Sequence, residues 1–248
     1  MDEPGSNMIE FRALGSAELK GPEGNDLLSV LARPKLLALL SYLAASAGRA
    51  FVRRDTLINL FWGEVDLDRA RNSLRQSLHH LRRSLGEDVL VGRGDDEVGL
   101  AEGAFWCDVA AFESALTDAR REEALELYRG GLLEGFFVAD APEYERWLDG
   151  RRAELRGKAA AAAWELAEAA ESARDTTGAR GWARRALELS PLEEDLVQRV
   201  ISLLDRAGDR SHAVQQYEAF TRRLKTELDL EPAPETKALI GAVRGRTL

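Results

Sequence analysis

The chain has 248 residues, a formal net charge of −9, and 45% hydrophobic against 31% charged residues. That composition supports one large or two ordinary globular cores and excludes a disordered or collagen-like chain. A single cysteine, Cys107, excludes an intrachain disulfide and any multi-cysteine zinc site.

The start, Met-Asp-Glu-Pro-Gly, is acidic and lacks the apolar core of a signal peptide. The longest aliphatic stretch, Leu36-Leu37-Ala38-Leu39-Leu40, is far too short to span a bilayer. The expected location is the cytoplasm, with no membrane partner. Charge is distributed unevenly along the chain. Residues 8–101 hold 13 basic and 13 acidic side chains, whereas 102–248 hold 21 and 28. Within the first region, positions 33–93 carry 11 basic and 6 acidic residues. Two regions with different electrostatic habits predict two domains with different partners.

Residues 8–31 read as short strands separated by turns: MIEFRAL, AELK, the turn GPEGN, then DLLSVL. Gly, Pro and Asn between the apolar runs predict a small antiparallel meander. A helix follows over 34–47, with Pro34 in its first turn, where a missing N–H costs nothing. Its apolar residues lie nearly all round, so it is predicted to be buried and central, and Gly48 is expected to end it. A second helix over 54–62 buries Leu57, Ile58, Phe61 and Trp62, with Gly63 as its stop.

A third helix is expected from an Asp66 or Asp68 cap to Gly86. Positions 69–86 contain five arginines, two adjacent histidines and no acidic residue. At 100° per residue, Leu74, Leu78, Leu81 and Leu85 form one buried stripe. The opposite face then carries Arg69, Asn72, Gln76, His79, His80 and Arg83, with Arg75 and Arg82 on one flank. A merely solvated helix mixes charge signs in i,i+4 pairs, and this one does not. After it, DVLVGRGDDEVGL reads as a hairpin with strands 89–91 and 97–100 about a Gly-Arg-Gly turn.

Three helices and a hairpin, the third helix basic on its free face, describe a winged helix-turn-helix. A helix fits the major groove, where Arg grips guanine O6/N7 and Gln or Asn grips adenine N6/N7. Gln76, His79 and Arg83 are therefore base-edge candidates, with Asn72 and His80 in support. Arg69, Arg71, Arg75 and Arg82 are phosphate candidates, although Arg71 has the alternative of lying against the core. Arg93 at the hairpin tip is placed to reach an adjacent minor groove.

The segment from Leu36 to Gly86 resembles the OmpR-type winged helix of the Streptomyces antibiotic regulatory protein family. The matching residues are Arg54-Asp55, Leu57, Trp62-Gly63, Ala70-Arg71-Asn72-Ser73-Leu74 and Leu81-Arg82-Arg83-Ser84-Leu85. The resemblance implies that the N-terminal strands belong to this domain. Arg53 and Arg54 join the phosphate or wing candidates for DNA. Two departures stand out. Arg53 occupies a position where relatives often carry a capping Ser, and Asp95, Asp96 and Glu97 crowd Arg93 on the wing.

From 108 onward the chain reads as successive helices rich in Ala, Leu, Glu and Arg. Asp175, Ala179 and Ala183 recur 34 positions later as Asp209, Ala213 and Tyr217, with Phe220 beyond and Pro191 closing the earlier unit. Ala124 and Tyr128 form a weaker third copy. A 34-residue helix-turn-helix period marks tetratricopeptide repeats, whose small residues let neighbouring helices approach. Trp147, Trp164 and Trp182 read as packing residues, and the alanines of 159–163 as a close helix contact.

DVAAFESAL (108–116), ALELYRGGLLEGF (124–136) and ELDLEPAPET (227–236) resemble the bacterial transcriptional activation domain of the same regulators. The expected fold is thus mainly α: a winged helix-turn-helix with a small antiparallel sheet and a C-terminal hairpin over 8–101, then an all-α tetratricopeptide-like domain over 108–245. The resemblance implies a sequence-specific transcription activator that binds direct repeats in double-stranded DNA as a homodimer and recruits RNA polymerase holoenzyme. The alternative is a repeat-protein scaffold or sensor whose winged helix serves protein interaction.

Motifs for catalysis, cofactors or metals are missing from the sequence. Gly157-Lys158 is not a P-loop, because Arg152 and Ala159 replace the required Gly and Ser/Thr. Gly92-Arg93-Gly94 lacks the third glycine and following helix of a dinucleotide site. Adjacent His79 and His80 diverge by about 100° on a helix and do not chelate one metal together. His212 reads as an ordinary helix residue and Cys107 as buried.

Overall fold

The computed structural model describes residues 8–46 and 51–246. It divides into two compact units between Leu155 and Arg156.

The first unit runs through β1 (Ile9–Arg12), β2 (Glu18–Lys20), the single turn α1 (Leu28–Leu31) and α2 (Pro34–Ala45). It continues with β3 (Val52–Arg53), α3 (Arg54–Trp62), α4 (Leu67–Leu85), β4 (Leu90–Arg93) and β5 (Glu97–Leu100). Then come β6 (Phe105–Cys107), α5 (Asp108–Thr117), α6 (Arg121–Leu127) and the start of α7 (Pro142–Ser172). Pro34 occupies the first position of α2, as expected. That helix is buried on nearly every side, from Leu36 to Ala45 save Tyr42, so α3 and α4 assemble around it. Leu39, Leu40, Leu57, Phe61, Leu74 and Leu78 form the shared core.

The sheets correct the expected meander in three ways. DLLSVL is not a strand: after one bridge between Asp26 and Lys20 the chain turns into α1. Only Val30 of that helical turn is buried, so the run lacks the alternation that would give a sheet face. The third strand of the first sheet is β6, which pairs parallel with β1 (Phe11 opposite Cys107), giving the order β2-β1-β6. Its three residues are all buried and lead directly into a helix, which leaves no period-2 signal in the sequence. In the wing, Gly92 and Arg93 belong to β4 rather than to the turn. Arg93 pairs with Glu97, and β3 adds a third strand in the order β3-β5-β4. The expected stop of α2 at Gly48 lies outside the described residues; within them the helix ends at Ala45.

Three buried polar groups tie this winged helix to the helices that follow it. The Asp108 carboxylate accepts hydrogen bonds from the backbone N–H groups of Ala13 (2.9 Å) and Leu14 (2.9 Å). Burial pushes its carboxyl above the usual carboxylate range, while those N–H bonds pull in the opposite direction. Tyr144 is wholly buried, with its hydroxyl 2.7 Å from Ser41 Oγ and its ring 5.0 Å from that of Phe61. Arg151 donates to the Ala45 carbonyl (3.1 Å) and to Glu113 (2.6 Å). Cys107, as expected, is buried, and burial raises its thiol well above the usual range.

The irregular segment 128–141 is tied down by backbone and side-chain hydrogen bonds. Leu133 N–H donates to Ala13 O (2.7 Å) and Glu134 N–H to Gly15 O (2.9 Å). The Arg152 guanidinium gathers the carbonyls of Leu132, Leu133 and Phe136 at 2.6–3.0 Å.

The second unit contains the rest of α7, then α8 (Thr176–Leu189), α9 (Glu194–Arg206), α10 (Arg210–Arg223), a π-helical turn (Leu224–Leu228) and α11 (Pro234–Gly245). The 34-residue echo is visible as geometry. Asp175 caps α8 through Gly178 N–H, and Asp209 caps α10 through His212 N–H. The small residues of the repeat, Ala179, Ala183 and Ala213, are buried, and so is Phe220. His212 does more than the sequence suggested: its Nδ1 lies 2.7 Å from Asp209 Oδ1. Across helices, Arg180 pairs with Asp209 (3.0 Å) and Arg206 grips both oxygens of Glu171 (2.9 Å each). Trp164 is buried, while Trp182 is half-buried.

Candidate nucleic-acid interface

The local sequence dictates the ends of α4. Asp66 is the capping residue, accepting from the N–H groups of Asp68 (3.1 Å) and Arg69 (3.4 Å), so Asp68 falls in the first turn instead. Gly86 leaves the helix at φ +109°, a conformation that L side chains rarely adopt. Ala70, Leu74, Leu78, Leu81 and Leu85 are the buried residues of α4, which fixes the helix's rotation about its axis. Arg69, Asn72, Gln76, His79, His80 and Arg83 are consequently all exposed.

Each basic candidate has its own surroundings. Arg69 and Arg83 pair with no carboxylate among the described residues. Arg75 donates to Asn72 Oδ1 (2.9 Å), which holds the two side chains parallel along the free face. Arg71 is exposed and 3.9 Å from Asp68, so it does not lie against the core. Arg82 is half-buried and donates to the Leu90 carbonyl (3.3 Å), bracing the wing against α4. The rings of His79 and His80 are 6.2 Å apart. Among the described residues, no cluster of His, Cys, Asp or Glu side chains suits a metal ion.

The wing is less open than the helix. Arg93 donates to Glu97 (2.5 Å) and lies 4.8 Å above the Phe51 ring. The Arg93 hydrogen bond holds the Glu97 carboxyl below the usual carboxylate range. Arg53 faces Glu97 across the β3–β5 register. The start of α3, which has no side-chain cap, is secured by Arg54 N–H donating to Asp96 O (2.8 Å).

Residues 107–244, more than half of the chain, match the bacterial transcriptional activator domain. The chain belongs to that activator-domain family. Residues 28–94 match the C-terminal domain of transcriptional regulatory proteins, covering α1 to β4. Regulatory protein AfsR of Streptomyces griseus is 28% identical in an alignment 249 positions long that covers 94% of this chain. The chain spans about a quarter (24%) of the length of that relative. A solved structure of Mycobacterium tuberculosis EmbR, in complex with a low affinity phosphopeptide, shares the fold with a TM-score of 0.67. That likeness covers 97% of this chain and 66% of EmbR at 21% identity. An OmpR-type winged helix followed by the activator domain gives this family member the two-domain organisation of the Streptomyces antibiotic regulatory protein type. Among the described residues, no helix is long and apolar enough to cross a membrane.

In this activator-domain protein, sequence reasoning missed two basic residues that belong beside α4. Arg33 and Lys35 flank Pro34 at the start of α2 and line one open groove together with Gln76 and His80. The signal was present in the basic excess of positions 33–93, but only the packing of α2 against α4 brings these residues together. Arg33 is exposed and pairs with no carboxylate among the described residues. Lys35 is half-buried, its Nζ 5.7 Å from the Trp62 ring.

Proposed function

We propose that α4 enters the major groove of double-stranded DNA and reads base edges, making the protein a sequence-specific transcription regulator. The observation that carries this reading is the free face itself. Arg69, Asn72, Gln76, His79 and Arg83 are exposed together, and no carboxylate occurs from 69 to 86. Arg83 and Gln76 have the donor geometry for guanine and adenine respectively, with His79 beside them and Asn72 and His80 in support. Arg69, Arg71, Arg75 and the half-engaged Arg82 neutralise phosphates and set register. Arg53 and Arg54 serve the backbone near the start of α3. Arg93 contributes least, because Glu97 and Phe51 already occupy it.

Within this reading, residues 8–101 bind DNA and residues 108–245 present a repeat surface to the transcription machinery. Activation follows by recruitment of RNA polymerase holoenzyme to promoters bearing direct repeats, with two copies of the chain bound on the DNA.

The test is Arg83→Ala in the full chain, titrated against a duplex carrying its preferred site and against single-base variants of that site. The expected loss at the preferred site is about 1–3 kcal/mol, with relaxed discrimination at one base position. Equal losses on every duplex would remove Arg83 from the base-reading set and leave it a phosphate contact.

A further inference from the structure

The open groove beside α4 offers about 750 Å³ and lies wholly within the first unit. One wall is the start of α2, with Arg33 and Lys35; the other is the α4 flank carrying Gln76 and His80. Trp62 and Leu36 contribute to its lining. Phe137, 66% exposed, and Asp140 also line it. This groove and the wing mark different sides of α4. On the helical wheel, Gln76 and His80 fall about 120–160° round from Arg82, which braces the wing.

We infer that this groove seats one DNA strand by its phosphodiester backbone, with Arg33 and Lys35 as phosphate contacts. The inference rests on the DNA-reading assignment of α4 and extends it. Two cations free of carboxylate partners among the described residues stand next to the base-reading side chains, where a duplex docked on α4 passes its nearer strand. The Asp140 carboxylate in the lining repels phosphate, so the strand follows the Arg33/Lys35 wall. Phe137 presents an apolar ring to the sugar edge. Its position does not need to form on binding, because Arg152 and the backbone bonds of Leu133 and Glu134 already fix the segment leading to it.

The test uses the full chain and two labelled duplexes of equal length, one carrying the site selected by the wild type and one unrelated. Each is titrated by fluorescence anisotropy at several salt concentrations. Arg33→Ala/Lys35→Ala should weaken both duplexes by the same factor and flatten the slope of log K against log salt by about 1.8. The wild-type advantage should then shrink about twelvefold between 50 and 200 mM salt. Because Lys35 also covers Trp62, Arg33→Ala alone is the control for folding. Its exposed side chain has no partner to lose among the described residues, and it should flatten the slope by about 0.9. A wild-type slope in Arg33→Ala, with wild-type protein binding normally, overturns the phosphate seat and assigns the groove to another occupant. A wild-type protein that binds neither duplex overturns the DNA-reading assignment itself.

Discussion

The arginines of α4 and those of the helices from α7 to α10 meet different company. In the second unit several of them bridge helices: Arg180 to Asp209, Arg206 to Glu171 and Arg210 to Asp205, which Arg246 also reaches from beyond α11. On α4, Arg69 and Arg83 meet no acid among the described residues, Arg75 meets an amide, Arg82 a carbonyl, and only Arg71 has a carboxylate, Asp68, at a loose 3.9 Å. The first group spends its charge on the fold. The second leaves it available, although the chain as a whole is acidic. Net charge therefore says little about where an anionic partner binds; the local ratio of cations to unpaired carboxylates says more.

Substitutions that cross this divide give the sharpest tests. Arg151 is the extreme structural case, with its side chain 7% exposed between the Ala45 carbonyl and Glu113. Arg151→Ala should cost about 3–5 kcal/mol in chemical denaturation, since it breaks a buried, hydrogen-bonded pair. A loss below about 1 kcal/mol would mean that buried and free arginines are not distinguished as described. By contrast, Arg83→Ala should leave unfolding within about 0.5 kcal/mol of wild type while it impairs binding.

Asp66→Ala removes the cap that fixes the start of α4 and should lower stability by about 1 kcal/mol, read as a shift in denaturation midpoint at constant slope. Smallest is Arg206→Ala, whose pair with Glu171 is solvated and worth about 1 kcal/mol or less. The Glu171 carboxyl is held below its ordinary value by the Arg206 hydrogen bonds. The pair's contribution is thus present above the unfolded carboxylate value of about 4.3 and is lost as pH falls through the lower folded value. The Tm gap between wild type and Arg206→Ala should therefore narrow from pH 7 towards about pH 3.5. A constant gap would show that the pair does not titrate with folding.

Much of the helical architecture was legible because its signals are local. Pro34 at a first turn, Asp66 and Gly86 bracketing α4, and the leucine stripe between them each act within a few residues. The 34-residue echo gave the repeat helices for the same reason. What the sequence hid depends on distant partners. The three-residue strand β6 finds β1 some hundred positions away, and Asp108 looks like any first-turn acid until it meets Ala13 and Leu14. The free face of α4 was readable from periodicity alone. Arg33 and Lys35 were not, because they join it only through the packing of α2.

The most direct test of the DNA-reading assignment is selection of bound fragments from a random duplex pool by the purified full chain at near-physiological salt. The account predicts enrichment of one motif, recovered as direct repeats at fixed spacing, and loss of that enrichment with Arg83→Ala. A pool that stays unenriched, with only weak binding that vanishes as salt rises, would contradict it. The repeat surface of the second unit would then be the protein's working face, and the winged helix a module for contacting other proteins.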